Sequence, residues 1–432
     1  MTRRLLVFSP HFPPVNAADH QRVRMMLPHL AEFGWEAHVL AFRPDVVEAA
    51  CDANLLVTTE VGEAVTRVGA VPYLWTRRFG LGSLAIRGGR AMLRAARRVA
   101  RERRFDAAFV STTILGAIPF RRGPLADGLP YVLDIQDPWV NDYYRLTGTR
   151  PPGGRLRYAL AQWEARRAEP SAMRRAAHVV CVSPAYPDDI RSRAPDVPAD
   201  RFSVVPFAAS MRDFDLSREL CATPGVFDPA DGLRHWVYLG RGGADMAPAL
   251  RGLFTAVATL RRSHAEAARL RLHFVGTSYA PPALARETVA PVAAECGVAD
   301  MVSERTGRVP YFQGLGLLRS ADAVLVVGSD DPSYSASKVY PCVAAGRPIL
   351  AVLRRESAAG EVIERCDAGR VVRFDAGGSV ADLAARLRPA LEAFLARPAG
   401  APTETNWVAF EPFTARAMTR RLCGIFDRAV RP

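Results

Sequence analysis

Residues 333–340, Ser333-Tyr334-Ser335-Ala336-Ser337-Lys338-Val339-Tyr340, lie between two apolar runs at 323–328 and 349–353. The order predicts a strand, a polar loop, a short helix over about 338–345, a turn at Gly346-Arg347-Pro348, and a second strand. Both apolar runs are too short for helices, and a helix between two strands implies a parallel sheet. Ser337 is placed to cap the helix, since a serine oxygen accepts from the free amides of a first turn. Those amides favour an anion. Lys338 is the only lysine among 57 basic residues, so a compact ammonium stands where every other basic residue is a planar guanidinium.

Outward from this stretch the alternation repeats. Strands are expected at 236–240, 270–276, 323–328, 349–353 and 371–374, with helices at 246–262, 282–296, 310–319 and 379–396. Toward the N-terminus, strands are expected at 5–9, 37–42, 107–111, 131–135, 178–182 and 202–205. Helices are expected at 21–33, about 83–104 and 155–175. Periodicity fades over 207–232, which places a domain boundary there. A last amphipathic helix is expected over 413–430. The fold class is α/β, as two open, doubly wound, Rossmann-like domains. Ligands of such sheets bind beyond the C-terminal ends of the strands.

The 432 residues are ordinary in composition, 49% hydrophobic and 23% charged, with a net charge of +13. That charge calls for an anionic partner. The basic helix at 83–104 suits anionic lipid, and its lack of interleaved aromatics speaks against single-stranded nucleic acid. The seven scattered cysteines make no Cys-x-x-Cys pair, and the eight histidines show no metal-binding spacing. Neither Gly-x-Gly-x-x-Gly nor a phosphate-binding Gly-x-x-x-x-Gly-Lys-Ser/Thr loop occurs, which argues against a nicotinamide or flavin dehydrogenase and a P-loop enzyme. The sequence runs straight into a strand without an apolar leader, so a cytoplasmic setting is expected.

The loops after strands carry the candidate chemistry. Asn16, Asp19 and Arg22 stand at the mouth of the first helix, with His11 and His20 nearby. A loop histidine is more often solvated than catalytic. Asp137 and Trp139 follow the strand at 131–135, and carboxylates beside an aromatic ring suit a sugar. Gly240, Arg241, Gly242 and Gly243 follow the first strand of the second half. Glycines let a ligand approach the backbone, and Arg241 with Lys338 would share the charge of a diphosphate. Gly276-Thr277 and Arg308-Val309 are further strand-end turns.

Taken together, these blocks resemble the GT-B glycosyltransferases, in particular those similar to family 4. The resemblance spans nearly the whole chain, from the loop at 12–14 and Asp137 through Gly240-Arg241 to Ser337–Tyr340 and the following 344–351. It implies an N-terminal acceptor-binding domain at 1–208, a nucleotide-sugar-binding domain at 209–405, and a terminal segment at 406–432 crossing back to the first domain. It further implies that Arg241 and Lys338 act on the diphosphate. Gly276, Thr277, Arg308 and Val309 would hold the base, and Ser335, Ser337 and Tyr340 would add donor contacts.

Asn16, Asp19, Arg22, Asp137 and Trp139 would orient the acceptor. The implied reaction moves a sugar, with retention, from a nucleotide sugar (a UDP-sugar above others) to a hydroxyl of a glycan, lipid-linked glycan or small natural product. No cofactor or metal is called for. The chain departs from the family pattern in lacking a glycine pair at 16–19, a lysine just after Arg241, and glutamates near 333 and 341. Those departures keep two alternatives open: a non-catalytic nucleotide-sugar-binding or partner protein, and a nucleotide-sugar epimerase.

Overall fold

A computed structural model describes residues 2–59, 64–76, 82–142, 145, 151, 154–221, 225–278, 280, 282–331 and 338–430. The chain divides into two compact units, one of residues 1–207 with 415–432, the other of residues 208–414. The stretch 406–414 thus stays with the second unit, and only the helix after it joins the first.

In the first unit the described strands are β1 (Arg3–Phe8), β2 (Trp35–Phe42), β3 (Val65–Val68), β4 (Ala107–Ser111), β5 (Tyr131–Ile135), β6 (His178–Cys181) and β7 (Phe202–Val204). They form one parallel sheet in the order β3-β2-β1-β4-β5-β6-β7. The chain builds outward from β1 to one side and then returns through β4 to the other. The crevice between the ends of β1 and β4 is therefore the topological switch point, where open α/β sheets bind ligands. The second unit holds β8 (Arg234–Leu239), β9 (Leu270–Val275), β10 (Val302–Arg305), β11 (Ala323–Val327), β12 (Ile349–Arg354) and β13 (Gly369–Phe374). These are parallel in the order β10-β9-β8-β11-β12-β13, with the switch between β8 and β11. Central strands such as β4, β5 and β11 are buried at every residue, as expected of a parallel sheet covered on both faces.

The main helices are α1 (Gln21–Met26), α2 (Leu84–Glu102), α3 (Arg155–Arg175), α4 (Met211–Leu220), α5 (Ala247–Leu260), α6 (Ala290–Glu295), α7 (Tyr311–Ser320), α8 (Val339–Ala344), α9 (Val380–Leu395) and α10 (Ala415–Ala429). The helix expected at 21–33 stops early. Pro28 has no amide hydrogen, so α1 ends at Met26 and two 3-10 turns lead to Gly34, whose φ of 78° closes the element. The helix expected at 282–296 is also shorter. The Glu304 carboxylate accepts from the amides of Thr288 (3.1 Å), Val289 (2.9 Å) and Ala290 (2.8 Å), and it fixes the start of α6 there.

The aperiodic stretch 207–232 contains α4, capped by Ser210 Oγ, which accepts from the amide of Asp213 at 3.2 Å. β3 and β10 were not expected. Both are short edge strands without a continuous apolar run.

α10 packs within the first unit. Phe426 meets Trp35 and Phe109 edge-on at 5.6 and 5.2 Å, and Asp427 accepts from the Trp35 indole at 3.0 Å and pairs with Arg3.

Candidate functional site

In the second unit the loops after β8, β9 and β10 meet. The amide of Gly242 donates to the Thr277 carbonyl at 2.7 Å, tying the first two loops together. A Cβ on Gly242 would stand 2.3 Å from Thr288 Oγ1, so any larger residue there would have to displace the Thr288 side chain. Gly276 has φ +77°, the left-handed region that favours glycine, and the Cα of Arg308 lies 4.0 Å from where its Cβ would be. Thr277 is buried and donates to Glu304 at 2.6 Å, so the same carboxylate holds the Thr277 turn and caps α6.

Arg241 is not presented as an unengaged cation. Its Nη2 and Nη1 donate to Asp245 at 2.6 and 3.0 Å, and Ser329 donates to the same carboxylate. Burial pushes the Asp245 proton affinity up, but the hydrogen bonds from Arg241 and Ser329 and the arginine charge hold the carboxyl below its usual range. The expected pair of diphosphate cations is thus altered by an acid four residues along, which fits the guanidinium fork in a two-point pair. The sequence signal was the Arg241–Asp245 spacing, and Ser329 had none.

Lys338 directly precedes α8 and is exposed. It makes no ion pair with a carboxylate among the described residues. Crowding by protein atoms around the ammonium, then the charge of Arg308, lower its pKa to about 8. Arg308, itself exposed, is therefore the cation that stands with Lys338. Val309 is half-buried, and Tyr340 packs its ring 5.5 Å from Phe413. Ser335 and Ser337 lie outside the described residues, so the proposed serine cap does too. Gly240 and Gly243 line the same loop as Arg241.

In the first unit the expected acceptor residues divide. Arg22 is fully buried. Its Nε lies 3.0 Å from Asp134, and it donates to the carbonyls of Val205 (2.7 Å) and Pro206 (3.3 Å). It braces β5 and β7 from inside instead of offering a hydrogen bond to an acceptor. Asp19 is also buried, and it does not cap α1, whose N-cap is His20. One oxygen faces His11 Nδ1 at 2.8 Å, and the other accepts from Thr112 Oγ1 at 2.9 Å. Burial raises the Asp19 pKa, but the hydrogen bond and charge of His11 outweigh it and hold the carboxyl low.

Asn16 is half-buried and its amide donates to Ala50 at 2.8 Å. Asp137 is exposed, whereas Trp139 leans on the core with its ring 5.9 Å from Phe120. His20 is buried and bonded to the Val15 carbonyl at 2.7 Å. Among the described residues no group of three or more His, Cys, Asp or Glu side chains could hold a metal ion.

Residues 20–208 match the family model of the glycosyl transferase 4-like domain. No curated protein matches the sequence. The chain is similar in structure to a glycosyltransferase from Rickettsia africae ESF-5, at 10% identity and a TM-score of 0.60, over 100% of this chain and 99% of that one. It is similar to Anabaena Alr3699/HepE in complex with UDP and glucose, at 15% identity and a TM-score of 0.60, over 98% of each chain. It is likewise similar to an α,α-trehalose-phosphate synthase (UDP-forming) from Burkholderia xenovorans in complex with glucose-6-phosphate, at 13% identity and a TM-score of 0.60, over 98% of this chain and 100% of that one. At these identities the likeness is one of fold.

Proposed function

We propose that this chain, whose residues 20–208 match the family model of the glycosyl transferase 4-like domain, moves a sugar from a nucleoside-diphosphate sugar to an acceptor hydroxyl. One observation carries the reading. Lys338 and Arg308 set two cations together beside the Gly276–Thr277 turn, at the C-terminal ends of the second sheet. Like charges brought together, with no carboxylate paired to Lys338 among the described residues, favour an anionic ligand, and a diphosphate supplies it. Lys338 would stabilise the negative charge that develops on the leaving diphosphate, where donors aimed at the transition state have their largest effect. Arg241, fixed by Asp245, would hold the loop that approaches the phosphates. Its expected direct role passes to Arg308.

A UDP-sugar is the first donor to try, because HepE was solved with UDP and glucose. The acceptor is a hydroxyl of a glycan, a lipid-linked glycan or a small natural product. Transfer with retention is proposed, as the resemblance to family 4 implies.

The decisive experiment is thermal shift of the protein against UDP, GDP, dTDP, ADP and their sugars, with turnover measured in parallel, for the wild type and Lys338→Ala. A ligand at about 100 times its Kd adds roughly 2.7 kcal/mol of stability. A nucleotide-selective shift that weakens in the variant, with turnover reduced at least about a hundredfold, is expected. Unchanged turnover in Lys338→Ala would remove the role given to that residue. Binding without turnover on any acceptor would favour a non-catalytic protein, and conversion of the donor without acceptor an epimerase.

The basic face of α2 supports a further, peripheral contact with anionic membrane. Arg90, Arg94, Arg97 and Arg101 are exposed on it, as is Ile86, and Leu74 and Trp75 are exposed in the preceding sequence. Among the described residues no helix is long and apolar enough to cross a membrane.

A further inference from the structure

Soluble surfaces scatter their exposed apolar side chains, and a grouped set marks a surface that meets something else. Among the described residues of the first unit, the exposed large apolar side chains all lie on connections that leave the C-terminal ends of strands. The densest set is on α3. Leu156, Leu160 and Trp163 are exposed at 89%, 61% and 57%, and their spacing of four and then three residues puts them on one face of the helix. On the opposite face Ala165 and Ala172 are buried. The first half of α3 thus carries an apolar stripe that points away from the core.

α3 does not stand alone at this rim. It begins beyond the end of β5, where the Asn141 amide donates to Gln162 Oε1 at 2.8 Å and the Asn141 carbonyl accepts from the Tyr158 hydroxyl. Gly116, in the turn after β4, lies between α3 and α2. A Cβ there would meet the Ala85 side chain at 3.2 Å and Glu164 Oε1 at 3.5 Å. Ile86, next to Ala85, is exposed. Arg87 holds the preceding segment, donating to the Val71 carbonyl at 2.8 Å and lying 5.6 Å from the centre of the Tyr73 ring. The exposed Leu74 and Trp75 follow directly. The stripe, Ile86 and the Leu74–Trp75 pair therefore share the edge of the first sheet at which such sheets receive ligands.

The charges around the stripe select its partner. Arg155, Arg157, Arg166 and Arg167 are exposed along the same half of α3, against one exposed acid, Glu164. Arg167 lies over the Trp163 ring at 5.0 Å, and Arg166 pairs with Asp142 at 2.6 Å. A second copy of the chain would set these arginines against their own symmetry mates, because a two-fold interface repeats the same patch on both sides. Apolar side chains ringed by arginine, with an aromatic ring among them, are what a helix lying in an anionic lipid interface carries. We infer that the first half of α3 seats the first unit in an anionic bilayer, its stripe entering the apolar boundary and its arginines meeting the headgroups. Ile86, Leu74 and Trp75 extend the seat. The arginine row of α2 holds the unit to the surface by charge alone, whereas insertion of α3 fixes which edge of the sheet faces the membrane. Neither contact depends on the sugar-transfer reading.

The test uses the full chain and two readouts. The first is sedimentation with vesicles of phosphatidylglycerol and phosphatidylcholine, comparing the wild type with Leu156→Gln/Leu160→Gln. Both side chains are exposed, so the melting temperature of the variant should match the wild type's. Its vesicle binding should weaken at least about tenfold through lost apolar burial, with the α2 arginines intact. The second readout is quenching of tryptophan fluorescence by brominated lipid, with Trp163→Phe to assign the signal. Quenching is expected in the vesicle-bound wild type and should diminish in Trp163→Phe. A wild type that does not sediment with the vesicles overturns the proposal. So does unweakened binding by Leu156→Gln/Leu160→Gln, or quenching that Trp163→Phe leaves unchanged. Self-association of the wild type without lipid, abolished in Leu156→Gln/Leu160→Gln, would make the stripe an interface between copies and would equally overturn it.

Discussion

The surroundings of Lys338 hold its ammonium less firmly than an ordinary lysine's. Crowding and Arg308 lower its pKa to about 8, so its ammonium is lost as pH rises through that value. The free enzyme's kcat/KM for the donor, which reports free-enzyme ionisations, should therefore fall above about pH 8, and Lys338→Arg should remove that fall. A profile still flat near pH 9.5 would contradict the assignment.

Two buried imidazoles act on stability instead. Burial, then Arg24, lowers His20 to about 3, and burial, then His235 and Arg305, lowers His273 to about 4. In the unfolded chain a histidine titrates near 6.5. Between the folded and unfolded values the unfolded state binds more protons, so stability is complete above about pH 6.5 and declines as pH falls toward 4. For His273 the full effect is on the order of 3 kcal/mol. Thermal midpoints from pH 7 to 4.5 should drop, and less steeply in His273→Asn; parallel slopes would show that His273 is not the titrating group.

At the scale of the element, α2 shows how one helix serves two surroundings. Leu84, Met92, Ala96 and Val99 face the core, while Arg90, Arg94, Arg97 and Arg101 face outward. Beside this row, Glu102 lies 3.9 Å from the exposed Arg98. With Leu74 and Trp75 exposed at 64% and 75%, the surface pairs charge with apolar bulk as interfacial helices do. Vesicles containing phosphatidylglycerol should sediment the protein, and replacing the four arginines by Gln should weaken binding at least about tenfold, given roughly 1 kcal/mol per basic residue near the surface. Equal binding to neutral phosphatidylcholine vesicles would argue that the charge has no part in it.

At the scale of the whole molecule, the chain leaves the first unit at residue 207 and returns to it only at 415. The return is anchored by burial. Met418, Leu422, Ile425 and Phe426 are each at most 2% exposed, and Phe426 sits edge-on to Trp35 and Phe109. Phe426→Ala should cost about 3–5 kcal/mol of the first unit's stability, as large aromatic deletions from a core do. Urea unfolding followed by Trp35 fluorescence and by a probe in the second unit should show only the first transition move. Equal movement of both would mean that the units unfold as one.

The strands were readable because a fully covered parallel sheet demands short continuous apolar runs. β4, β5 and β11 could therefore be placed to within a residue by composition alone. The edge strands β3 and β10 and the short helix α4 escaped because half-exposed elements carry no such run, and only the Ser210–Asp213 cap marked α4. Lys338 could be singled out because it was the one lysine. The candidate residues themselves were chosen by type, and type does not report partnership. Arg241, Arg22 and Asp19 all looked like free polar groups at strand ends. Folding brought Asp245 to the first, Asp134 to the second, and His11 with Thr112 to the third. The sequence by itself determined the two parallel α/β sheets, because hydrophobic periodicity is local. Which charges face inward and which partner each one meets were decided by the tertiary structure. Those outcomes depend on contacts between residues such as Asp19 and Thr112, 93 positions apart in the chain.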